Sequence, residues 1–217
     1  KPFTDILPKP LIPINNVPVI DHIIENFNNN GVNKFIISLN YKSKIMRAYF
    51  EEMKKNIKIE FVEEKKPLGT IGSLSLLENK IPKSFFVTNC DVLIDYNYQE
   101  ILNSHLFNKN KITIVACSKS FQVPYGNCKI DSDGNLLNIE EKPNYKILIN
   151  TGMYVINREI IKFIPKNTKF DINNLIKILK DKKIKIGVFP ISYQNWLDVG
   201  QWNEYKKTID IFNEEIK

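Results

Sequence analysis

The chain is short of the residues on which several chemistries depend, and each shortage excludes something. Its 217 residues hold three cysteines, Cys90, Cys117 and Cys128. They are odd in number and show no CxxC spacing, so neither a disulfide framework nor a thiolate zinc site is indicated, and a reducing cytoplasm suits them. No apolar run approaches the ~20 residues a helix needs to cross a bilayer, and Lys1 opens no signal-like segment. The two histidines, His22 and His105, fall on predicted helices without partners and are read as structural. Cys90 adjoins Asp91, but nothing nearby argues for a reactive thiolate. No internal repeat or low-complexity linker divides the chain, so residues 1–217 are read as one domain, and 43% apolar content is enough for one sizeable core.

Positive charge is in surplus, with a net charge of +7. A nucleic-acid partner would need a basic stripe with interleaved aromatics. Here the lysines, Lys54, Lys55, Lys65, Lys66, Lys182 and Lys183 among them, gather at predicted element ends and turns. Solvated faces account for that distribution, which leaves at most a modest attraction to anionic substrates.

The prolines at 2, 8, 10 and 13 fix φ and disfavour helix, so Lys1 to Ile14 reads as a stiff, extended segment holding Lys9 in place. Pro18 then opens an amphipathic helix with Val19, Ile20, Ile23, Ile24 and Phe27 on one face, stopped at Gly31. A buried strand is expected over Lys34 to Leu39, a second helix ending near Lys55, and a strand over Ile57 to Val62. Strand, helix, strand at this spacing predicts right-handed crossovers and a parallel sheet with ligands at the strands' carboxyl ends.

Glu63 to Ser73 follows with two glycines between that strand and an expected helix over Leu74 to Leu77. Glycines there let backbone N–H groups approach a ligand, although a plain β-to-α turn has the same look. Ser84 to Thr88 reads as a buried central strand, setting Asp91 at its carboxyl end. Such a residue is either a metal ligand or an Asx-turn residue. Further elements are a helix over Asn97 to Phe107 and a strand over Lys111 to Cys117. Next come an antiparallel insertion with its hairpin at Asp133-Gly134, a strand from Asn150 to Ile156, a helix capped by Asp171, a strand from Lys185 to Phe189, and a last helix with Tyr205, Ile209 and Phe212.

PKPL at 8–11, PLGTIG at 67–72, NCD at 89–91, EEKP at 140–143, NTGMYVIN at 150–157 and WLDVGQW at 196–202 occur in the order found in sugar-phosphate nucleotidyltransferases. The chain resembles that family, with mannose-1-phosphate guanylyltransferase-like enzymes the nearest in look, and the six motifs cover nearly its whole length. NCD stands where the family commonly has NGD. The resemblance implies an α/β fold, Rossmann-like and doubly wound, around a mixed, mainly parallel sheet with a small antiparallel insertion. In that family a β-strand and a Gly-rich loop ending in Gly-Thr-Arg come directly before the PKPL segment. Residues 1–217 are therefore expected to lack that first strand and loop, and by themselves to bind triphosphate poorly and fold poorly.

The implied reaction is attack by a sugar 1-phosphate oxygen on the α-phosphate of a nucleoside triphosphate. The nucleophile is already anionic, so catalysis rests on positioning and charge neutralisation. By resemblance, Asp91 and Asp198 hold Mg²⁺, and Lys9 neutralises nucleotide phosphate. Glu64, Gly69 and Thr70 meet the nucleotide. Lys142 takes the phosphate of the sugar, Glu141 accepts from its hydroxyls, and Gly126, Asn150, Thr151 and Gly152 lie near it. Glu64 stands where uridylyl and thymidylyl relatives commonly carry Gln. One carboxylate can accept from both N1–H and N2–H of guanine, whereas uracil and thymine flank a single N–H with carbonyls, so GTP is the expected donor. A uridylyl or thymidylyl transferase, a metal-dependent glycosyltransferase and a non-catalytic nucleotide-sugar-binding subunit are the alternatives, and a homo-oligomer stays open. PKPL and EEKP argue against the glycosyltransferase, and Lys9, Asp91, Lys142 and Asp198 argue for an enzyme.

Overall fold

Lys9–Leu11 closes a single 3-10 turn, with Leu11 N donating to Pro8 O at 2.9 Å and Ile12 N to Lys9 O at 3.1 Å. The segment is thus not extended throughout, because Pro10 falls in the first positions of the turn, where its fixed φ fits and its missing N–H loses no bond. The structure is a computed structural model and describes residues 7–52, 57–77 and 81–200. Lys1 to Ile6, the expected end of the second helix near Lys55, and the expected last helix lie outside the described residues.

A short antiparallel pair, β1 (Pro13–Ile14) with β2 (Val17–Pro18), leads into helix α1 (Val19–Asn29). All five residues of its apolar face are buried, and Gly31 leaves it at φ +84°. Strand β3 (Lys34–Leu39), helix α2 (Ser43–Glu52) and strand β4 (Lys58–Glu63) form the expected crossover, with β3 and β4 parallel. Over Gly72–Leu76 the chain makes a 3-10 turn where a helix was expected. A Cβ at Gly72 would lie 2.8 Å from Thr168 O, so neighbouring backbone occupies the space beside this turn.

Strand β5 (Ser84–Thr88) and the short β6 (Val92–Ile94) come next, then α3 (Tyr98–Phe107), whose first turn Asn97 caps by accepting from Gln99 N and Glu100 N. Strand β7 (Ile112–Gln122), the hairpin β8 (Asn127–Ile130) with β9 (Leu136–Glu140), and β10 (Asn144–Asn157) follow. Helix α4 (Ile172–Asp181), strand β11 (Ile186–Ser192) and β12 (Trp196–Asp198) close the described chain. Both β7 and β10 are longer than expected, because their outer halves pair with each other from Asn144↔Gln122 to Asn150↔Ala116.

The four-stranded sheet has the order β11-β7-β10-β5. Because β10 is antiparallel to both β5 and β7, and β11 is parallel to β7, three of its strands run one way and β10 runs against them. Side-chain alternation divides the strands between two cores. Phe35, Ile37, Phe86, Val115 and Val155 pack with α1, α2 and α3, while Ile36, Phe85, Val87, Ile114 and Ile156 pack with α4. Helices therefore cover both faces of a mixed, mainly parallel sheet, with β8–β9 as the small antiparallel insertion.

Among the described residues β3 pairs only with β4, and β5 only with β10. Phe27 of α1 lies across the seam between them, its ring centroid 6.2 Å from Phe35 on β3 and 5.6 Å from Phe86 on β5. Both strands are only partly buried, which departs from the fully buried strands expected and follows from their unpaired edges.

Candidate active site

Three of the predicted site residues meet at the carboxyl end of β5. Lys9 leaves the proline-framed turn, Asp91 sits in the turn between β5 and β6, and Asp198 ends β12, which pairs with β6 in the register Asp198↔Val92. Lys9 Nζ donates to Asp91 Oδ2 at 3.3 Å. A Cβ at Gly200 would lie 2.5 Å from Asp91 Oδ2 and 3.1 Å from Asp198 Oδ1, so both carboxylates converge on one point that only a glycine leaves open. Gly200 N donates to Asp198 Oδ1 at 2.8 Å, and Val199 N to the Asp91 carbonyl at 3.0 Å, which fixes one carboxylate relative to the other.

The opposite wall is a β-bulge. In β10 the register against β7 slips between Asn150 and Tyr154, and such irregularities re-aim side chains beside sites. Asn150 Nδ2 donates to Tyr154 Oη at 2.8 Å and Gly152 N donates to Asn150 Oδ1 at 3.1 Å, so the amide is held at both ends. Burial raises the Tyr154 phenol above its ordinary value, which keeps it a neutral partner. Thr151 points the other way: it is buried and its hydroxyl donates to Val115 O at 2.8 Å, so its side chain pins the bulge to β7. Gly152 has φ +88°, and a Cβ there would lie 2.6 Å from Asn89 Nδ2. The glycine is required by both its conformation and its neighbour.

These groups line a cleft of about 240 Å³, shared by Lys9, Asn89, Asp91, Asn150, Gly152 and Asp198, with Tyr154 and Trp196 among its walls. That is below the roughly 300–1,000 Å³ of pockets that engulf a drug-sized ligand. Desolvation first, and the adjacent Asp91 charge second, push the Cys90 thiol up to about 11. It stays protonated at neutral pH although the residue reaches the surface. Among the described residues no three or more His, Cys, Asp or Glu side chains cluster as a protein-only metal cage. Two carboxylates alone form the donor set that suits a hard ion completed by water and substrate phosphate.

Other predicted residues are not brought to this cleft. The Glu64 carboxylate accepts from Ser38 Oγ at 2.5 Å and from Leu68 N at 2.9 Å, beside the Gly69–Thr70 loop. The Thr70 N–H and hydroxyl are taken up by the start of α4. Gly126 and Glu141 face each other, with Glu141 Oε2 3.0 Å from where a Gly126 Cβ would be. Lys142, at φ +47°, lies with Glu141 in the exposed turn before β10. Asn89, Tyr154 and Gly200 are site residues that sequence reasoning did not single out, although each lies inside a motif it quoted. Both histidines have partners, contrary to expectation: His22 Nε2 is 3.3 Å from Ile14 O, and His105 has Nδ1 2.8 Å from Thr113 Oγ1 and Nε2 3.0 Å from Asn157 Oδ1.

The site is thus two carboxylates and a lysine at the carboxyl end of a strand in an α/β sheet. The chain belongs to the nucleotidyl transferase family, whose sequence model matches residues 1–214. It is 32% identical over 225 residues to the mannose-1-phosphate guanyltransferase of Debaryomyces hansenii and 32% identical over 216 residues to that of Saccharomyces cerevisiae. Each match takes in 94% of this chain and 59% of the relative, so the chain spans about three-fifths of the length of these curated relatives. Among solved structures, HddC from Yersinia pseudotuberculosis is similar at 27% identity and a TM-score of 0.73, covering 95% of this chain and 90% of that one. A complex of HddC with GMP-PN matches with 26% identity and the same TM-score and coverage. No helix among the described residues is long and apolar enough to cross a membrane.

Proposed function

We propose that this chain is the catalytic module of a sugar-1-phosphate nucleotidyltransferase that transfers GMP from GTP to a sugar 1-phosphate. The observation that carries the reading is the convergence of Lys9, Asp91 and Asp198 on one polar cleft. The guanyltransferase relatives, and the GMP-PN complex of HddC, support guanine as the base. A phosphate oxygen of the sugar 1-phosphate bonds to the α-phosphorus while the bond to the pyrophosphate oxygen breaks, so pyrophosphate leaves with the electron pair. No protein base is needed, and no histidine is asked for one.

The lysine and the aspartate hold each other until substrate arrives. Lys9 is 52% exposed and Asp91 19%, and a pair this open to water is worth only ~0.2–1 kcal/mol, so it separates readily. Lys9 then turns to nucleotide phosphate. Asp91 and Asp198 would hold Mg²⁺, which when bound supplies charge neutralisation at the phosphate oxygens. Asn150, fixed by Tyr154 and Gly152, orients the acceptor sugar, with Gly126, Glu141, Lys142 and the backbone of Thr151 on the acceptor side. Glu64 has accepted one hydrogen bond on each oxygen, and an ionised carboxylate has about four acceptor sites, so each oxygen retains one for the guanine N1–H and N2–H.

Among the described residues β3 and β5 each pair on one side only, which leaves their other edges able to accept one further strand. Free thiols at all three cysteines support a cytoplasmic setting. The test is Mg²⁺-dependent pyrophosphate release by the full-length protein across a panel of nucleotides and sugar 1-phosphates. Release strongest with GTP and abolished by Asp91→Asn or Asp198→Asn is expected, whereas no release under any pairing would leave a binding subunit instead of an enzyme.

A further inference from the structure

The glycine-rich loop after β4 and the start of α4, a hundred residues apart in sequence, are tied together in an unusual way. Asp171 occupies the N-cap position of α4, but its side chain does not cap that helix. Its Oδ1 instead accepts from Thr70 N at 2.9 Å, while the Thr70 hydroxyl accepts from Ile172 N, the first amide of α4, at 2.9 Å; an N-cap side chain ordinarily serves the second or third amide. Two backbone bonds run alongside, Phe170 N to Leu68 O at 2.8 Å and Ile71 N to Phe170 O at 3.2 Å. A helix cap would have the Asp171 carboxylate accept from Asn173 or Asn174 N, but it is given to the loop instead. That placement makes sense if the loop is what is being held.

What the loop holds in turn is Glu64. Leu68 is buried, its carbonyl is fixed by Phe170 N, and its own N–H donates to Glu64 Oε2 at 2.9 Å. Ser38 Oγ fixes the other carboxylate oxygen. A Cβ at Gly69 would lie 2.6 Å from Asp171 Oδ1 at a backbone φ of +79°, so the approach of Asp171 is possible only because residue 69 is glycine. A continuous chain of contacts therefore runs from Asp171 through Thr70 and Leu68 to the Glu64 carboxylate.

We propose that Asp171 and Thr70 are positioning residues for base recognition: their clasp sets the Leu68 N–H that orients Glu64 toward the base of the nucleotide. The proposal rests on the reading of Glu64 given above. It also assigns Thr70 a role in shaping the loop, since its hydroxyl and N–H are both engaged within the protein.

The experiment measures dissociation constants for GTP and UTP, with Mg²⁺, on the full-length protein by calorimetry, together with amide hydrogen exchange. Asp171→Ala is expected to weaken GTP about 5- to 10-fold while leaving UTP and sugar 1-phosphate unchanged, the scale of one misplaced hydrogen bond. Asp171→Asn keeps an acceptor oxygen and is expected to bind within about twofold of the parent. Exchange at the Leu68, Thr70 and Ile172 amides should quicken in Asp171→Ala while the amides of β7 and β10 keep their protection. Equal weakening of GTP and UTP, an Asn variant no better than Ala, or an unchanged Leu68 amide would each overturn the clasp. Glu64→Gln separates the two ideas. If it leaves the GTP preference intact, the base reading fails; if it erodes the preference while Asp171→Ala is silent, only the clasp fails.

Discussion

Replacing Lys9 by glutamine should separate stability from activity. The residue touches Asp91 at 3.3 Å with half of its side chain in water, so the folded state loses ~0.2–1 kcal/mol. For a domain of this size, 1 kcal/mol is a shift of roughly 2–4 °C in the melting temperature, so Lys9→Gln should melt within about 4 °C of the parent. The catalytic loss is of another order. Removing one preorganised group aimed at developing charge typically lowers kcat about 10²- to 10³-fold, or ~2.7–4 kcal/mol. Pyrophosphate release with saturating substrates, beside a thermal melt of each protein, reads both numbers. Retention of more than a tenth of the activity would refute the phosphate role. A melting loss of about 10 °C would instead show that the Lys9–Asp91 pair is part of what holds the proline-framed turn in place.

Glu64→Gln should erode the preference for GTP over UTP by about 1–3 kcal/mol of discrimination, read from competitive turnover, and an unchanged preference discards the assignment. Gly152→Ala should lose ~1–3 kcal/mol because alanine is strained at φ +88° and its methyl meets Asn89, with Asn89→Ala in the same background recovering only the clash. Burial first, and the Lys111 charge as a smaller contribution, hold His105 below its ordinary value, with the Asn157 hydrogen bond opposing them. The unfolded chain therefore binds the proton first: stability is full above about pH 6.5 and is lost as pH falls through the folded value. The urea midpoint of the parent should drop between about pH 7 and 5.5 more than that of His105→Gln, and parallel curves would remove His105 as the cause. A strand supplied to the β3–β5 seam should slow exchange of amides on both strands, and no added protection would show that the seam is not a strand site.

The parts of this fold that were legible are those written in local pattern. Five apolar residues at helical spacing gave α1, and β-branched runs gave β3 and β5 with their boundaries. What was not legible depends on partners distant in the chain. The outer half of β10, from Asn144 to Leu148, is exposed and carries no buried-strand pattern; it is a strand because residues 118–122 pair with it. Leu74 to Leu77 reads as an apolar helix, but Gly72–Leu76 makes a tighter turn beside residues 168–170.

The same division runs through the site. Lys9, Asp91 and Asp198 could be named because each side chain has a chemistry that its motif advertises. Asn89 and Gly200 could not, because their importance is a matter of where a neighbour's atoms fall: Gly200 matters through two carboxylate oxygens that arrive from β12 and from the turn after β5. Asp171 is the sharpest instance. Its place before an amphipathic run reads as a helix cap, and its position in the fold is a cap's position, yet its oxygen serves Thr70, 101 residues away. A propensity argument assigns a residue to the element it adjoins. Only the three-dimensional neighbourhood reveals that the residue at the cap position of α4 is bonded to the glycine-rich loop, and that the same loop sets the Leu68 amide on the carboxylate that would choose the base.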